Sequence, residues 1–170
     1  MRLTTLVIVG MLSANAIGQN LIKLSDAALT SQQRREIAHA IDSGAYGGCL
    51  DENGSPCARS AEFIRLSPNT TQIVVTLFLG GAGNQAIWVF NLINDHPVLL
   101  LSDEGSGYGS LAAIHNGMHE FVISGPCGGG HCVDKVYRFD GKHYEVAYCN
   151  DSNLDENGEM RSGPRRPCKS

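Results

Sequence analysis

The chain of 170 residues is 42% hydrophobic and 18% charged, with a formal net charge of −4. That length suffices for one domain that buries roughly two-thirds of its unfolded surface, so a core can form without metal or crosslinks. The mild acidity argues against the clustered basic face that a nucleic-acid backbone selects, and no nucleic-acid partner is expected.

Met1 and Arg2 precede an apolar run from Leu3 to Leu12, and Ala14-Asn15-Ala16 places small residues where a signal peptidase reads them. Residues 1–16 are therefore expected to be a signal peptide, with Ala16-Ile17-Gly18 as an alternative site two residues on. Loss of Arg2 would take the net charge to −5. No later stretch approaches the ~20 apolar residues of a membrane span. The expectation is an exported, soluble protein, periplasmic or extracellular.

Cys49, Cys57, Cys127, Cys132, Cys149 and Cys168 form an even set, which in an exported chain reads as disulfides before metal or catalysis. Pairing between sequence neighbours, 49 with 57, 127 with 132 and 149 with 168, is the simplest of the many connectivities. No cofactor and no metal are expected.

Thr30 followed by Gln33 predicts a capped helix start, Ile37, Ala40 and Ile41 share one face, and Gly44 can end the helix. Such a narrow stripe suits a helix covering one side of a sheet. From Phe63 to Leu101 the pattern turns to strands. Ile73 to Leu79 is a continuous β-rich run of the kind buried on both faces, and Ala86–Ile93 and Val98–Leu101 follow across turn residues. Links this short leave no room for crossover helices and predict an antiparallel meander.

The densest stretch is Glu120–Cys149. Alternation at Phe121–Ser124 and Val136–Phe139 predicts two strands, and Asp140-Gly141 predicts a hairpin into a third strand over Tyr144–Cys149. Gly80, Gly81, Trp88 and Phe90 recur 49 positions later as Gly129, Gly130, Tyr137 and Phe139, a pair of similar hairpins within one domain. The expected organisation is a signal peptide over 1–16, a single disulfide-stapled α+β domain over 17–149, and a polar tail over 150–170 tied by Cys168.

Gly83–Phe90, Asn116–Phe121 and Tyr137–Tyr144 together resemble exported bacterial proteins of uncharacterised function that share an aromatic-x-Phe-Asp-Gly-x-x-Tyr hairpin. The hairpin is also distantly similar to blade ends of FG-GAP β repeats. That resemblance implies a calcium loop near Asn116-Gly117, where this chain lacks the aspartates. No activity carries over.

His115 and His119 are spaced as helical metal ligands would be, but Asn116-Gly117 between them reads as a hairpin turn. A two-residue turn would place the rings on opposite faces, a three-residue loop side by side. Asn153-x-Asp155-x-Asn157-Gly158 matches part of a calcium loop, but Pro164 stands where its bidentate Glu belongs. The glycine loop between Cys127 and Cys132 reads as a structural staple, and the chain contains no G-x-S-x-G, H-E-x-x-H or Walker pattern. The expectation is therefore a binding protein, inhibitor-like or immunity-like towards a protein or glycan partner. Trp88, Tyr108, His131 and Tyr137 are the candidate binding residues. A secreted hydrolase with a site near His115 and His119 is the alternative.

Overall fold

The computed structural model describes residues 21–23, 29–42, 59–80, 83–125, 128, 131–154 and 160–168. The first half contributes β1 (Leu21–Lys23), α1 (Ser31–Asp42), β2 (Arg59–Ile64), β3 (Gln72–Gly80), β4 (Asn84–Ile93) and β5 (His96–Gly105). The second half contributes β6 (Gly107–His115), β7 (Met118–Ser124), β8 (His131–Phe139), β9 (Tyr144–Leu154) and β10 (Met160–Arg166). Strands β1 to β5 form one five-stranded antiparallel sheet in sequence order, and β6 to β10 form a second.

The start of α1 is held by a reciprocal capping pair. The Gln33 amide nitrogen donates to Thr30 Oγ1 at 3.1 Å and the Thr30 amide nitrogen to Gln33 Oε1 at 2.9 Å, which satisfies two donors a helix end leaves open. Leu29, Ile37 and Ile41 are buried in one cluster with Ile73, Val75, Leu77, Trp88 and Phe90. The alternate residues Val74, Ile87 and Val89 point the other way, into a cluster with Phe121, Ile123, Tyr137 and Tyr144 of the second sheet. Strands β3 and β4 are thus apolar on both faces, which is why Ile73–Leu79 reads as an unbroken run.

Among the described residues the architecture is antiparallel and mostly β with one short helix, as the strand and helix patterns led one to expect, but the strands divide between two sheets instead of extending one meander. The division occurs at Ser106, whose amide and hydroxyl both donate to the Ser124 carbonyl, at 2.7 and 3.2 Å. Gly105 lets the chains meet there, since a Cβ at that position would stand 2.5 Å from the Ser124 oxygen.

Residues 150–170, read from the sequence as a polar tail tied by Cys168, contribute strand to the second sheet where they are described. Strand β9 continues to Leu154, and β10 pairs with it from Met160 to Arg166. Main-chain bonding needs no apolar side chains, so the hydrophobic pattern missed this strand. It is further held by the Cys149–Cys168 disulfide and by Arg166, which donates to both carboxylate oxygens of Asp151 at 2.6 Å. Cys132 is also disulfide-bonded. The signal peptide, Cys49, Cys57, Cys127 and the calcium-like loop after Asn153 lie outside the described residues.

Candidate functional site

Four connections meet at one end of the sandwich and enclose a cleft of about 540 Å³. They are the loop between β2 and β3, the β4–β5 turn, the β6–β7 turn and the β8–β9 turn. A volume of this size lies within the range that holds small ligands or a few residues of a partner. Loops set on a rigid scaffold are also where binding groups concentrate.

Local chemistry fixes each wall. Asn94 and Asp95 both have positive φ, as do Asn116 and Gly117, so the two turns are two-residue hairpin loops of the kind Asn and Gly favour. Asn116 Nδ2 donates to the Phe139 carbonyl at 2.9 Å, which ties the third turn to the fourth connection. In that fourth turn the Asp140 carboxylate accepts the Lys142 and His143 amides at 2.6 and 2.7 Å. These amides, His143 first, hold the Asp140 carboxyl below its ordinary value.

The β2–β3 loop is pinned by buried Gln72. Its Oε1 accepts the Leu66 amide at 2.7 Å, and its Nε2 donates to Thr70 Oγ1 at 2.6 Å and to Asn91 Oδ1 at 3.1 Å. The His119 amide donates to the Leu66 carbonyl at 2.7 Å, linking this loop to the second sheet. Every polar atom of the Gln72 side chain therefore has a partner, and the wall is preorganised.

The cleft presents amides and hydroxyls from Ser67, Asn69, Thr70 and Asn91 beside apolar surface from Ile93, Val98 and Phe139. Ile93 and Val98 are 48% and 40% exposed. Lys142 is the one titratable side chain among the described residues that line it. Such a surface can bind an uncharged polar ligand.

On the outward face of the second sheet, Glu120 is only 2% exposed. Arg138 Nε donates to it at 2.7 Å and Tyr148 Oη at 3.2 Å, while His115 Nε2 lies 3.0 Å away. Burial pushes this carboxyl up, but the Arg138 and Tyr148 bonds and the charges of Arg138 and His115 outweigh it and hold it below the ordinary range. Because Asn116-Gly117 is a two-residue turn, His115 pairs with Met118 and Ile114 with His119. The two imidazoles consequently lie on opposite faces. His119 Nδ1 faces the Leu111 carbonyl at 2.8 Å. Neither ring bonds a Ser, Thr or Cys among the described residues.

Two further polar contacts cross the space between the sheets. Lys135 Nζ donates to Asp103 at 2.8 Å, and the Tyr137 hydroxyl donates to the same carboxylate. Burial raises the Asp103 carboxyl, but Lys135 and Tyr137 win and lower it, while burial and then Asp103 push the Tyr137 hydroxyl up. Glu62 is buried with Oε1 unbonded, and Tyr108 bonds its other side. Here burial prevails over the Tyr108 bond and raises the carboxyl.

The residues singled out from the sequence do not converge. Trp88 and Tyr137 are core residues, each 2% exposed. Tyr108 stacks on Phe121 with ring centroids 5.9 Å apart. His131 is on the surface, 3.4 Å from Asp151, and exchanges main-chain bonds with Gly128. The cleft residues were not singled out because Asn91 falls within the Ala86–Ile93 strand pattern and Asn116 reads as hairpin-turn chemistry. Comparison with known proteins finds no match: no family model, no curated protein and no solved structure is similar to this chain.

Proposed function

We propose that this is an exported, soluble binding domain that holds a segment of a partner protein in the cleft between its two sheets, in the manner of an inhibitor or immunity protein. The observation that carries this reading is the convergence of four turns on a preorganised cleft lined by amides, hydroxyls and exposed aliphatic side chains. Side-chain amides match the main-chain groups of an extended peptide, and Ile93 and Val98 offer surface to its apolar side chains. Export is supported by the Leu3–Leu12 run and Ala14-Asn15-Ala16. In this reading α1 serves as a cover for the first sheet and takes no part in binding. The separation of His115 from His119 favours binding over the hydrolase alternative.

Capture from native exported material tests the proposal. Wild-type protein should retain a partner that Ile93→Arg and Val98→Asp variants lose, with unchanged melting because both side chains are exposed. Equal retention by both variants would remove the cleft from the account, and capture of a glycan alone would replace the protein partner.

A further inference from the structure

We infer that the outward face of the second sheet carries a separate docking surface, built on Arg138, Arg165 and Tyr148, for an acidic segment of a protein. Two guanidinium groups lie against one ring, with Arg138 Cζ 5.4 Å and Arg165 Cζ 4.5 Å from the Tyr148 centroid. Guanidinium groups attract an aromatic face but repel each other, so this arrangement has to be compensated. Glu120 supplies the compensation from below, bonding Arg138 and the Tyr148 hydroxyl at once.

The compensation is partial. Glu120 takes only Nε of Arg138, and the two terminal nitrogens make no hydrogen bond among the described residues. Glu145 stands opposite Arg138 in the register, yet the ion pair of Arg138 goes to Glu120. The Arg165 residue is exposed, and its side chain forms no ion pair or hydrogen bond among the described residues. The buried Glu120 carboxylate thus pairs with Arg138 and leaves Arg165, on the same ring, exposed and without an ion pair among the described residues, on a chain whose net charge is −4.

Charge complementarity selects the occupant. Planar guanidinium forks match carboxylates, and a ring that already orients them lowers the ordering cost of binding. A nucleic acid would require a longer track of cations than two arginines provide. The surface therefore suits Asp and Glu side chains presented by an extended segment of another protein. It is independent of the cleft, which lies between the sheets.

A short poly-glutamate peptide, titrated against the full chain by fluorescence anisotropy, is the probe. Binding should be saturable and should weaken as salt rises from about 50 to about 200 mM, because these charges are exposed and screened. Arg165→Glu should weaken it about tenfold or more without shifting the melting temperature, since Arg165 does not contact Glu120. The cleft variant Ile93→Arg should bind the peptide as wild type does, even if it loses the captured partner. Absence of saturable binding at low salt, or equal binding by Arg165→Glu, would overturn the inference. Binding of a sulfated glycan in place of the peptide would overturn the choice of a protein segment.

Discussion

Glu120 lies on the face of its sheet that points to solvent and is nevertheless buried, because Arg138, Tyr148 and His115 close over it. Removing Arg138 leaves this carboxylate shielded from water with only Tyr148 and His115 beside it. Arg138→Ala is therefore expected to lower the unfolding free energy by about 3 kcal/mol, measured by urea denaturation, and Arg138→Ala with Glu120→Gln should recover part of that loss. Glu62 has the opposite environment. Its folded state holds the proton more tightly than the unfolded chain does, whose value is near 4.5. Its contribution is thus most favourable at low pH and is lost as pH rises from 4.5 through the raised folded value. Glu62→Gln should be more stable than wild type at pH 7, and the two should converge in acid. A Gln variant less stable than wild type at neutral pH would mean that the carboxylate is better solvated than its burial implies.

At the scale of elements, most of what was legible in the sequence came from local bonding. Thr30 and Gln33 announce the start of α1 by their spacing, and the reciprocal bonds are present. Thr30→Ala should cost about 1 kcal/mol of stability in thermal or chemical unfolding. The Asp140-Gly141 hairpin was readable from turn chemistry, and the Cys149–Cys168 bond agrees with the pairing of sequence neighbours. Strand β10 was not, because Met160–Arg166 offers no alternation of apolar residues and is ordered by main-chain bonds, the Arg166–Asp151 fork and the disulfide. Replacing Cys149 and Cys168 by serine should cost roughly 3 kcal/mol in the chain-entropy picture and raise amide exchange first in β10. Uniform protection in β10 after that replacement would show that its main-chain ladder suffices.

The whole molecule depends on a joint one residue long. Ser106 has no signature that separates a sheet switch from an ordinary turn, so a meander of ten strands and two meanders of five look alike in sequence. Once the sheets face each other, Asp103 with Lys135 and Tyr137 clasps them together. The Asp103 and Glu120 carboxyls are both held below their ordinary values of 3.8 and 4.5. The stability they add is therefore complete above those values and is lost as pH falls through the depressed folded ones. The cleft exists only because the sheets face each other, since its walls come from loops of both. Its amide-rich lining could not be told from turn-forming residues before the turns were brought together. The central claim, that the partner enters this cleft, is tested most directly by placing a photo-reactive side chain at Val98, inside it, and separately at Phe78, an exposed residue at the far end of β3. Irradiation in native exported material should crosslink one partner from Val98 and none from Phe78. Crosslinking from Phe78 alone, or equally from both positions, would contradict the account.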